Sequence, residues 1–129
     1  MDVKEKLTVL VCDDSMLVRK KLRNQLLALA EMVILEAEDG ATAVELYREN
    51  KPDLVFMDIV MPVKDGIVAL EEIREIDPGA RVVMASSVGT SQNLKRAIDA
   101  GAFDFVQKPS TDARIANIVR RILEEGDHA

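Results

Sequence analysis

Residues 7–15 read LTVLVCDDS, and the architecture follows from how this run ends. Leu7 to Cys12 is a continuous apolar, β-rich stretch broken only by Thr8. Unbroken apolar runs, rather than polar alternation, mark strands covered on both faces. The stretch stops at Asp13 and Asp14, and Ser15 then opens a helical pattern in which Val18, Leu22, Leu26 and Leu29 trace one face. Ser15 is a candidate cap for that helix.

The same unit recurs along the chain. Met32 to Leu35, Leu54 to Met57, Val82 to Ala85 and Phe103 to Val106 are apolar runs, the last interrupted by Asp104. Helical stripes separate them. Ala43, Val44 and Tyr47 follow Gly40, and Ile67, Leu70 and Ile73 follow Asp65-Gly66. Leu94, Ala97 and Ile98 follow Thr90 and Ser91. Ile115, Ile118, Val119, Ile122 and Leu123 follow a cap at Ser110 or Thr111. Pro52-Asp53 and Asp77-Pro78-Gly79 punctuate the units. Five β-α units in series predict an α/β protein: a doubly wound parallel sheet with helices on both faces and right-handed crossovers. The first strand is expected from about residue 7 and the last helix to about 125, with residues 1–129 forming one domain.

Composition narrows the chemistry. The chain has 129 residues, 48% hydrophobic and 31% charged, as a folded globular domain does. Seventeen Lys+Arg against 23 Asp+Glu give a net charge of −6, which argues against direct nucleic-acid binding. No apolar run approaches the ~20 residues of a membrane span, so no membrane insertion is expected. Met1 to Lys6 is too polar for a signal peptide. The single cysteine, Cys12, excludes an internal disulfide and fits a cytoplasmic location. The single histidine, His128, excludes an internal Ser–His–Asp triad and a multi-histidine zinc site. Carboxylates, hydroxyls and lysines remain to do the chemistry.

In open α/β sheets ligands bind at the carboxyl ends of the strands. Strand one ends in Asp13-Asp14, strand three in Asp58, strand four in Ser86-Ser87 and strand five in Lys108-Pro109. Three carboxylates gathered there repel; at ~5 Å and an effective dielectric of ~20, each pair costs about 3 kcal/mol. A divalent cation removes that cost, and hard oxygen ligands suit Mg²⁺. A carboxylate nucleophile, a metal, a lysine and a hydroxyl together make a phosphoryl-transfer site.

Val11-Cys12-Asp13-Asp14-Ser15, Met57-Asp58-Ile59-Val60-Met61-Pro62 with Asp65-Gly66, Ala85-Ser86-Ser87 and Lys108-Pro109 resemble the receiver domain of bacterial response regulators, of two-component or chemotaxis type. The resemblance covers nearly the whole chain and implies a CheY-like, flavodoxin-like sheet of strand order 2-1-3-4-5. It implies that Asp58 is the phosphoacceptor. Asp13, Asp14, Asp58 and the main-chain carbonyl of Val60 would hold Mg²⁺ (or Mn²⁺), one of the first two acids through water. Ser86 and Lys108 would contact the phosphoryl group, Phe105 would be the aromatic switch, and the Lys108-Pro109 bond would be cis. Ser15, Met16, Leu17, Arg19, Pro109 and Ser110 would dock the donor, a histidine kinase or a histidine phosphotransfer domain. The face of helix four, strand five and helix five would then act on an effector or an output domain, and could support a dimer. Such a module is no enzyme beyond self-catalysed phosphoryl transfer and autodephosphorylation. Val60 and Val88 are apolar where many receivers carry polar residues, which favours a long-lived phosphoryl group.

Plainer readings stand beside these. Cys12 is expected to be an inert buried thiol, Arg114, Arg120 and Arg121 surface charges, and Arg19, Lys20, Lys21 and Arg23 largely a solvated face. Phe105 could be core only, because Phe103 should share its strand face. The chain could be the receiver piece of a larger regulator such as a methylesterase. An aspartate-nucleophile phosphatase would need a second Asp two residues past the nucleophile, where Val60 stands. A flavodoxin-like cofactor binder would need a Gly-rich or Ser/Thr-rich phosphate loop after strand one, which is lacking.

Overall fold

The computed structural model describes residues 6–87 and 91–126. Five parallel strands form one sheet in the order β2-β1-β3-β4-β5: β1 (Leu7–Cys12), β2 (Met32–Ala37), β3 (Leu54–Asp58), β4 (Val82–Ser86) and β5 (Asp104–Gln107). The helices α1 (Met16–Leu27), α2 (Gly40–Asn50), α3 (Gly66–Ile76), α4 (Ser91–Asp99) and α5 (Asp112–Gly126) alternate with them.

Alternation along each strand divides the core. Leu10, Cys12, Val55, Met57, Val82 and Met84 pack with Val44, Tyr47, Leu70, Ile73 and Ala97 of α2, α3 and α4. Val9, Val11, Leu54, Phe56, Val83 and Ala85 pack with Leu26 of α1 and Ile115, Ile118 and Ile122 of α5. Both faces of the central strands are therefore apolar, the cause of their unbroken hydrophobic runs.

Local chemistry sets the helix starts. Ser15 Oγ accepts from the Val18 N–H at 3.3 Å, Asp39 Oδ1 from Thr42 at 2.8 Å and Asp65 Oδ1 from Val68 at 3.0 Å. Thr111, not Ser110, caps α5: its Oγ1 accepts from the Arg114 N–H at 3.1 Å. Thr90 lies outside the described residues, as do Val88 and His128.

β2, β3, β4 and β5 each end one or two residues past the expected apolar run, and the shifts in β2 and β5 matter most. β2 runs on through Glu36 and Ala37, because Val11 and Cys12 of β1 provide pairing partners. β5 begins at Asp104, so Phe103 precedes the pleat; its N–H donates to the Val82 carbonyl at 2.8 Å. In consequence Phe103 packs on the α1/α5 side and Phe105 on the opposite one. The two phenylalanines do not share a face.

Candidate functional site

Strand direction brings Asp13, Asp58, Ser86 and Lys108 to one sheet edge. Cys12 of β1 lies opposite Met57 of β3, so Asp13 and Asp58 leave adjacent strands side by side. Asp13, Asp58 and Ser86 are buried at 3%, 7% and 3% exposure, whereas Asp14 is exposed. The carboxylates of Asp13, Asp14 and Asp58 each place an oxygen within 4.8 Å of the others.

Lys108 enters this group from beyond β5. Its Nζ donates to Asp13 Oδ2 at 2.7 Å and lies 3.2 Å from Asp58 Oδ1. The Lys108 N–H donates to the Ser86 carbonyl at 2.8 Å, and the following bond to Pro109 is cis. Asp13 is held further by the Ser15 N–H on Oδ1 at 2.9 Å.

Burial and the neighbouring Asp13 charge push the Asp58 carboxyl above its ordinary range, against the opposing pull of Lys108. Burial works against the Lys108 ammonium, but Asp13 and Asp58 outweigh it and hold the group above the ordinary lysine value. The site is thus a buried carboxylate beside a fixed cation. Its donor set is all hard oxygen with more than one carboxylate, the set that Mg²⁺ or Mn²⁺ prefers.

The β3–α3 loop shapes the rim. The Gly66 N–H donates to the Ile59 carbonyl at 2.8 Å and ties the start of α3 to the end of β3. Val60, two residues past Asp58, is 73% exposed.

The expected docking residues divide. Met16 and Leu17 are exposed at 68% and 76%, and Pro109 is exposed, while Ser15 and Ser110 are half-buried. Arg19 is turned inward: its Nε donates to Glu36 Oε1 at 2.9 Å and its guanidinium to the Asp13 carbonyl at 2.7 Å. It buttresses the acidic site instead of extending from a solvated face.

Phe105 is half-buried, and its N–H donates to Asp104 Oδ1 at 2.7 Å. Asp104 is clamped by Arg114 at 2.7 Å and Arg121 at 2.5 Å, and the Arg121 guanidinium lies 4.7 Å from the Phe103 ring centre. Arg114 also donates to the Phe105 carbonyl at 3.2 Å. Arg114 and Arg121 are therefore structural, not the plain surface charges expected of them; their spacing along α5 was the available signal.

The family profile of the response regulator receiver domain matches residues 9–120. The chain belongs to this family. As a receiver domain it is of the two-component and chemotaxis type. It is similar to the chemotaxis protein CheY of Bacillus subtilis, 44% identical over 89% of this chain and 96% of that protein. A chain of a CheX-CheY-BeF3-Mg²⁺ complex from Borrelia burgdorferi matches with a TM-score of 0.82 at 35% identity, covering 92% of this chain and 88% of that one. A protein-glutamate methylesterase/protein-glutamine glutaminase of Desulfotalea psychrophila is 36% identical over 92% of this receiver but only 35% of its own length. Among the described residues no helix is long and apolar enough to cross a membrane.

Proposed function

We propose that Asp58 accepts a phosphoryl group from a partner's phosphohistidine. A carboxylate oxygen of Asp58 attacks phosphorus, the P–N bond breaks, and the imidazole leaves with the electron pair and takes up a proton. The observation that carries this reading is Lys108, whose ammonium lies 2.7 Å from Asp13 and 3.2 Å from the buried Asp58. A cation fixed there neutralises charge on the transferred group without reorganising. Asp13, Asp14, Asp58 and the Val60 carbonyl would hold Mg²⁺ or Mn²⁺, which when bound supplies charge neutralisation and orients the phosphoryl oxygens. The Ser86 hydroxyl is the second phosphoryl contact.

Phosphoryl contacts then favour one of two arrangements of Phe105 and the α4-β5-α5 face, to which an effector, an output domain or a second copy responds. Ser15, Met16, Leu17, Pro109 and Ser110 form the donor-docking rim. Residues 1–129 act as one cytoplasmic receiver with autodephosphorylation as its only turnover, either alone or as part of a larger regulator.

Incubation with acetyl phosphate and Mg²⁺, followed by intact mass, tests the reading. One labile phosphoryl group on the wild type, absent from Asp58→Asn, is the expected result. Steady release of phosphate over many turnovers would point instead to an aspartate-nucleophile phosphatase.

A further inference from the structure

Between α1 and the segment that carries Lys108 lies a cleft of about 390 Å³. Its walls are Val11, Val18, Leu22, Phe56, Ala85 and Val106, and Asp58 and Lys108 stand on its border. The cleft is lined both by α1 and by residues 108–110. A polar bridge joins the two. Gln25, half-buried on α1, donates through Nε2 to the Ser110 carbonyl at 2.9 Å and to Asp112 Oδ1 at 2.8 Å. These acceptors lie two and four residues beyond Lys108, at the end of its loop and the first residue of α5.

We propose that Gln25 is a positioning residue for phosphoryl transfer: by bridging α1 to residues 110 and 112 it sets where Lys108 stands relative to Asp58. The inference rests on the reading of Asp58 as phosphoacceptor. Gln25 bonds none of the three carboxylates, so its loss reaches the cation ligands only through Lys108, whose withdrawal from Asp13 and Asp58 favours Mg²⁺ binding and does not weaken it. Gln25→Glu keeps the shape, removes both donors and sets a second carboxylate against Asp112. Gln25→Leu removes the bridge without adding charge. Displacing a catalytic group by a fraction of an ångström slows transfer steeply.

The experiment measures phosphoryl incorporation from acetyl phosphate by intact mass, and Mg²⁺ affinity by titration, on the full chain. Both Gln25 variants are expected to slow incorporation by about tenfold while binding Mg²⁺ at least as tightly as wild type. Adding Asp112→Asn to Gln25→Glu supplies an amide that donates to the new carboxylate, so incorporation recovers in part. The same change added to Gln25→Leu gives no recovery. Equal rates in wild type and both variants overturn the inference. So does a parallel loss of rate and Mg²⁺ affinity without recovery, which marks general structural damage. A wild type that takes up no phosphoryl group overturns the acceptor reading of Asp58 and this inference with it, which separates the two failures.

Discussion

Gly66 lies directly against the main chain of Asp58: a β-carbon on it would stand 2.0 Å from the Asp58 carbonyl oxygen. That oxygen belongs to the main chain at the end of β3, so no flexible side chain can yield. Gly66→Ala is expected to destabilise the fold by about 2–3 kcal/mol, as overpacking against rigid neighbours does. It should also slow phosphoryl uptake by shifting Asp58. Gly79→Ala is the control, since the nearest atom to its added carbon is a side-chain oxygen at 3.4 Å. Urea unfolding of both variants checks the contrast.

Lys108 competes with a divalent cation for the same carboxylates. In Lys108→Met, two buried acids lose their fixed counter-charge and the metal-free fold weakens. Added Mg²⁺ should then raise Tm more in the variant than in wild type, because ligand binding stabilises by mass action, about 2.7 kcal/mol at a hundredfold excess over Kd. Phosphoryl uptake should nonetheless fall. A smaller Mg²⁺ response in the variant would contradict the competition.

Val60 presents an apolar surface two residues past the acceptor, at 73% exposure. It offers an attacking water no hydrogen bond. Val60→Asn supplies one and is expected to shorten the lifetime of the aspartyl phosphate several-fold, by about 1 kcal/mol of orientation. The decay of the phosphorylated mass after removal of the donor gives the measurement, and an unchanged decay would remove any role for this position.

Asp104 ties β5 to α5. Burial pushes its carboxyl up, but Arg121, the Phe105 N–H and Arg114 outweigh that and hold it below the ordinary carboxylate range. A depressed folded value means that the stabilisation is present above the unfolded value near 4 and disappears as pH falls toward the folded one. Asp104→Asn is expected to lose about 1 kcal/mol at pH 7, the arginines being partly exposed and screened. The deficit should shrink below pH ~4. Chemical denaturation at the two pH values tests the sign.

The doubly wound sheet was legible because its signals are local and redundant. Val9 and Leu10, or Phe56 and Met57, lie on opposite core faces, which is why each run reads as unbroken hydrophobics. Ser15 and Asp65 cap helices within three residues of their partners. The acidic edge was legible because strand ends in a parallel sheet share a direction. What stayed hidden depends on geometry between distant segments. Nothing near Gln25 in the chain announces Ser110, 85 residues away. The inward turn of Arg19 onto Glu36 needed the β2 register, and the opposite facing of Phe103 and Phe105 needed the exact start of β5. Cleft volume has no counterpart in hydropathy.

The three charged groups that meet around Asp58 come from β1, β3 and the segment after β5, with 95 residues between Asp13 and Lys108. They become neighbours only once β1, β3, β4 and β5 have joined in one sheet. The arrangement around Asp58 is therefore a property of the assembled sheet, not of any one β-α unit. A chain whose last strand has not joined the sheet lacks the contact of Lys108 with Asp13 and Asp58.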